Sequence, residues 1–167
     1  YIQLLPPDAD TSTLSVLPNS SSLDIAPSSA LAPASETDQY RLAIVSRLDV
    51  DKLSPHLLYE PLLRLRASYP ALHVKIAGSG LAADNVERSL REHGMDEFVE
   101  LLGWVDDIAS VYRWADATYL PSHSETMPYA ALESIAAGRP VVLPALGRFA
   151  EVDVHEAFVL AFPPGDS

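Results

Sequence analysis

Two carboxylates, Glu125 and Glu133, flank what reads as the opening of a helix, and together they could reach both ends of one elongated anionic ligand. Ser122 and Ser124 precede that helix, Thr126 can cap it, and Pro128 suits its first turn. Free amides and the positive end of the helix dipole then lie beside Glu125, a natural seat for phosphate. At 1.5 Å of rise per residue, Glu133 is expected about 12 Å further along the axis. Gly138 supplies a left-handed stop, and Pro140 leads into the apolar run Val141-Val-Leu143, which reads as a buried parallel strand. Each acid also has a plainer reading. A helix-start Glu is often only a dipole partner, and a mid-helix Glu is usually solvated surface. A pair at this spacing arises easily by chance, so its weight depends on the elements that position it.

Those elements alternate. From Arg41 onward strand and helix signals follow one another, the pattern of an α/β domain with a parallel sheet. Strands are expected at 42–46, 72–77, 98–102, 117–120, 141–143 and 157–162. Leu57, Leu58, Leu62, Leu63 and Leu65 mark a helix over 54–68, within which Pro61 implies a kink or a later start. A polar helix follows over 81–93, and Asp106 or Asp107 caps a short one ending at Trp114. The whole reads as a Rossmann-like, doubly wound sheet, whose ligands bind beyond the carboxyl ends of the strands.

Several of those strand ends carry a resemblance. Ser46-Arg-Leu-Asp-Val-Asp-Lys52 is similar to a G-R-L-x-x-x-K segment, and Glu125 with Glu133 resembles an E-x7-E motif. Val16-Leu-Pro-Asn19, Gly103-Trp-Val-Asp-Asp107 and Ala115-Asp116 through Pro121-Ser122 complete a colinear set. Together these resemble the retaining glycosyltransferases of GT-B fold, in particular glycosyltransferase family 4, over most of the chain. The resemblance implies the C-terminal, donor-binding lobe of an enzyme that moves a hexose from a nucleotide-sugar to an acceptor. Arg47 and Lys52 would hold the donor diphosphate, one as a planar fork and the other as a point charge. Glu125 would bind the donor sugar and Glu133 the ribose diol, with Thr126 and Met127 beside them and Gly103, Trp104 and Val105 along the base. Ser46, Leu53 and Thr126 stand where the family commonly has Gly, where close backbone approach is easiest. They favour the alternative, a non-catalytic Rossmann-like interaction domain. An epimerase or a phosphorylase on the same two-lobe fold fits the motifs less well.

Length and composition narrow the field. The 167 residues suffice for one domain with a sizeable core. Residues 1–38, dense in Ser, Pro, Ala and Asp, read as an interlobe linker, leaving 39–167 as the nucleotide-sugar-binding domain, itself truncated at its C-terminal end. The acceptor would be held by a missing N-terminal lobe, so residues 1–167 alone are expected to be inactive. A net charge of −12 offers no basic footprint for nucleic acid. No apolar run is long enough to span a bilayer, so no membrane contact is expected from this domain. The absence of cysteine excludes thiol chemistry and fits a cytoplasmic enzyme.

No cofactor or metal is expected. Asp49-Val-Asp51 imitates a D-x-D metal site, but a cation there would duplicate the work of Arg47 and Lys52. The five His residues are too scattered for a ligand set, and His123, near Glu125, reads first as a loop residue. Gly78-Ser-Gly80 reads equally as turn punctuation or as a loop for close ligand approach. Trp104 reads either as the wall of a base pocket or, more plainly, as a core aromatic.

Overall fold

The computed structural model describes residues 39–49, 55–122, 128–145 and 159–162. The segment read as a linker lies outside these residues, as do Lys52, Leu53, His123, Glu125, Thr126 and Met127. Six strands and four helices follow in alternation: β1 Tyr40–Val45, α1 Pro55–Ser68, β2 Leu72–Ala77, α2 Ala83–Glu92, β3 Val99–Gly103, α3 Ile108–Trp114, β4 Ala117–Tyr119, α4 Tyr129–Ala136, β5 Val141–Pro144 and β6 Val159–Phe162. The strands form one parallel sheet in the order β3-β2-β1-β4-β5-β6. This is the doubly wound arrangement expected, with its direction of winding reversing between β1 and β4.

The two faces of the sheet are covered by different chemistry. Leu72, Val74 and Ile76 alternate with exposed or half-buried residues along β2 and, with Ile44, meet Leu58 and Leu62 of α1 and Val86 and Leu90 of α2. On the other face the small residues Ala43 and Ala77 admit Val111 and Ala115 close to the sheet. Ala131 of α4 packs against Val141 and Leu143 of β5. Asp116 joins the start of β4 to β1: its carboxylate takes the Arg41 guanidinium at 2.8 and 3.2 Å and the Arg41 amide at 2.9 Å.

Helix ends follow their sequence signals. Asp107, one of the two acids expected to cap α3, accepts from the Ser110 amide. Gly94 and Gly138, at φ 64° and 69°, close α2 and α4 with the paired bonds of Schellman turns, Met95 N–H to Leu90 O and Arg139 N–H to Ser134 O among them. Helix α4 differs from expectation at its start. Pro128 holds an extended backbone as the N-cap (φ −73°, ψ 121°) and makes no side-chain cap bond, so the helical turns begin at Tyr129. A proline needs no amide partner at that boundary, but it delays the helix. The 12 Å rise reckoned from Glu125 therefore has no counterpart among the described residues.

Pro61 neither stops nor delays α1, which runs through it from Pro55. Proline has no N–H to offer the carbonyl four residues back, here that of Leu57. The Tyr119 hydroxyl, on β4, donates to that carbonyl instead, at 2.5 Å. Burial pushes the Tyr119 phenol up to about 12, so the hydroxyl remains a donor across the physiological range. Its contribution to stability is fully present below the unfolded phenol value near 10 and is lost as pH rises through about 12. We expect Tyr119→Phe to destabilise the protein by about 0.5–1.5 kcal/mol in urea unfolding, the net worth of one intramolecular hydrogen bond. The loss should shrink markedly in a Pro61→Ala background, which restores a helical donor. Equal losses in both backgrounds would show that the Leu57 carbonyl is not the partner that matters.

Candidate active site

The site begins with two loops locked together at the carboxyl edge of the sheet. Beyond β1, the Ser46 and Leu48 amides donate to the Ala77 and Ser79 carbonyls at 3.1 and 3.0 Å, and the Ala82 amide returns to Leu48 O at 2.8 Å. Both glycines of Gly78-Ser-Gly80 are needed for this approach. A Cβ on Gly78, whose φ is +145°, would stand 1.9 Å from the Ser46 carbonyl oxygen, and one on Gly80 would stand 2.4 Å from that of Leu48. The glycines thus serve backbone packing between loops, and Gly78 also lines the cleft described next. Asp49 belongs to the same lock: its carboxylate accepts from the Leu81 amide at 3.4 Å and lies 3.4 Å from the Arg47 guanidinium. That occupation accounts for the first acid of the D-x-D imitation.

Arg47 is the exposed residue of this locked loop and lines a cleft of about 570 Å³ with Ser79, Trp104, Val105, Tyr129 and Glu133. The cleft opens where β1 and β4 diverge, the switch point at which sheets of this kind bind their ligands. Four of the residues singled out by sequence, Arg47, Trp104, Val105 and Glu133, therefore meet there. Gly103 stands just outside the lining. Its left-handed φ of 66° turns the chain out of β3, and its carbonyl accepts from the Gly78 amide at 2.8 Å.

That turn decides the fate of Trp104. The plainer reading made it a core aromatic, and it is instead 75% exposed, at the mouth of the cleft, because the chain has already left the sheet at Gly103. Its indole N–H donates to Asp106 Oδ1 at 2.8 Å, which fixes the ring without burying it. Glu133 likewise departs from the solvated surface expected of a mid-helix acid. It is half-buried, and its Oε2 accepts from the Tyr112 hydroxyl at 2.7 Å. Tyr112 is fully buried on α3. Burial first, then the Glu133 charge and their hydrogen bond, raise its phenol far above the usual tyrosine range. Sequence reasoning missed Tyr112, since an aromatic in a short helix signals only core. Helix α4 is itself fixed to the sheet by the Ser134 hydroxyl, 2.8 Å from Thr118 Oγ1 and 3.0 Å from the Arg139 carbonyl.

A doubly wound parallel sheet with a lined cleft at its switch point defines a Rossmann-like lobe. The chain belongs to the family described as Glycosyl transferases group 1, whose model matches residues 39–167. It is 31% identical to the glycogen synthase of Mycobacterium tuberculosis H37Rv over 132 residues, covering 78% of this chain and 32% of that protein. It is 38% identical to the D-inositol 3-phosphate glycosyltransferase of Mycolicibacterium smegmatis over 118 residues, 66% of this chain and 26% of the relative. The chain thus spans a third or less of the curated relatives it matches. Among solved structures, Anabaena HepE in complex with UDP-glucose has a similar fold, with a TM-score of 0.65 at 22% identity over 77% of this chain and 36% of that one. Among the described residues, no helix is long and apolar enough to cross a membrane.

Proposed function

We propose that residues 39–167 form the donor-binding lobe of a retaining glycosyltransferase that transfers a hexose from a nucleotide-sugar to an acceptor held by another lobe. The observation that carries this reading is the convergence of Arg47, Trp104, Val105 and Glu133 on one cleft at the switch point. Support comes also from HepE, which shares the fold and was solved with UDP-glucose. In this reading Trp104 and Val105 flank the base, Glu133 accepts from the ribose hydroxyls, and Arg47 meets the diphosphate. Glu125, Lys52, Thr126 and Met127, outside the described residues, complete the site in the roles their motifs imply.

The chemistry asks for neutralisation of a departing diphosphate. Arg47 and Lys52 supply cations, and the start of α4 adds the positive end of its dipole. No metal or other cofactor is needed in this scheme. The phosphate leaving on one face of the sugar assists the acceptor arriving on that same face, which retains configuration without a protein nucleophile. We place the enzyme in the cytoplasm, where nucleotide-sugars are the donors.

Titration of the full-length protein with UDP, ADP, GDP and their glucose conjugates tests the reading. One nucleotide is expected to bind at millimolar concentration or tighter, and Arg47→Ala should weaken it about tenfold, the loss of one charge-assisted contact worth ~1.4 kcal/mol. A folded protein that binds none of them would favour the non-catalytic interaction domain instead.

A further inference from the structure

Glu133 has an unusual setting for a ligand-binding acid. It lines the cleft, yet among the described residues no Lys, Arg or His side chain is paired with it. Its recorded side-chain partner is the Tyr112 hydroxyl, at 2.7 Å from Oε2. That hydroxyl reaches from α3 to α4 through apolar surroundings formed by Val45, Ile108, Ala109 and Ala137. It has a second acceptor within range, the Ala130 carbonyl at 3.3 Å, but a phenol carries a single proton. The shorter contact and the charged acceptor both direct that proton to Glu133.

We infer that Tyr112 is a positioning residue for Glu133, holding its carboxylate in the orientation that receives the ribose hydroxyls and so setting a preference for ribonucleotides over deoxyribonucleotides. This rests on the assignment of Glu133 to the ribose. A glutamate side chain has three torsions, and an unpaired one must be ordered at the moment the ligand arrives. With Oε2 already fixed, that ordering is complete before binding. Oε1 keeps its full accepting capacity and Oε2 one lone pair, enough for the two hydroxyls of a diol. A cation in place of Tyr112 would hold the acid as firmly but would compete with the ligand for its charge. A neutral donor avoids that competition. Its elevated phenol value keeps it a donor at every pH at which the protein is handled.

A buried phenol that merely satisfies its own hydroxyl would leave the same hydrogen bond, so the test must read the ribose. The full-length protein and its Tyr112→Phe variant are titrated with the nucleoside diphosphate that binds best among UDP, ADP and GDP, and with its 2′,3′-dideoxy counterpart. Wild type should bind the ribose form at least tenfold tighter. Tyr112→Phe should weaken that form about fivefold and leave the dideoxy form within twofold. In a Glu133→Ala background, the same substitution should change neither. Tyr112→Met, which also fills the space without a hydroxyl, takes its place if the Phe variant fails to fold. Equal weakening of both nucleotides, or unchanged discrimination in a folded Tyr112 variant, overturns the positioning role while Glu133→Ala still abolishes discrimination. Absence of discrimination in wild type, unaltered by Glu133→Ala, overturns the ribose assignment and the inference with it.

Discussion

Gly78→Ala is expected to lower the stability of the protein by about 3 kcal/mol or more, the sum of an unfavourable backbone region and a steric clash with main chain. The clash is with the Ser46 carbonyl oxygen, 1.9 Å from where the new Cβ would stand, and a main-chain carbonyl cannot swing away as a side-chain tip can. Gly94 provides the internal comparison. It too has a positive φ, 64°, but nothing lies within 4 Å of its would-be Cβ, so Gly94→Ala should cost only the conformational part, about 1–2 kcal/mol. Urea unfolding of the two variants checks the difference. If Gly78→Ala is no worse than Gly94→Ala, the two loops are not locked as described. Because Arg47 rides on the displaced loop, nucleotide affinity should fall in Gly78→Ala even where the protein remains folded.

The second large effect concerns Glu133. On the proposed donor-binding reading, Glu133→Ala in the full-length protein should weaken the nucleotide-sugar by about 1.5–3 kcal/mol, the range for hydrogen bonds to a charged group. It also strands the Tyr112 hydroxyl, which must turn to the Ala130 carbonyl at 3.3 Å, a longer bond to a neutral acceptor. A loss of stability of about 1 kcal/mol should therefore accompany the loss of affinity. Calorimetric titration measures the first and denaturant unfolding the second. An unchanged donor constant would remove Glu133 from the site.

Local elements were legible because local chemistry makes them. Strand β2, Leu72–Ala77, follows from its alternation and its glycine stop residue for residue, and Gly94 and Gly138 mark their helix ends as expected. What was not legible depends on residues far apart in the chain. Pro61 reads as a kink or a later helix start until Tyr119, 58 positions later, is seen to donate to the carbonyl that proline cannot serve. Trp104 reads either as a pocket wall or as core, and only the left-handed backbone of Gly103, which ends the strand beneath it, shows that it is exposed. The convergence of Arg47, Trp104, Val105 and Glu133 could be anticipated from motif order, since each follows or precedes a strand end. The depth of Glu133 could not, because Tyr112 meets it only through the packing of α3 against α4.

The central strand also constrains the order in which the sheet can be assembled. On one side Tyr40 pairs with Leu72, while on the other Leu42 pairs with Ala117. A chain emerging from the ribosome can close β1, β2 and β3 once Gly103 is out, yet the second edge of β1 stays open until Ala117–Tyr119 follows. An open strand edge invites pairing with other chains, and a charge on it discourages that. Arg41 is that charge. In the folded sheet Asp116, immediately ahead of β4, pairs with it, so the charge on that edge of β1 is neutralised where its correct neighbour lies.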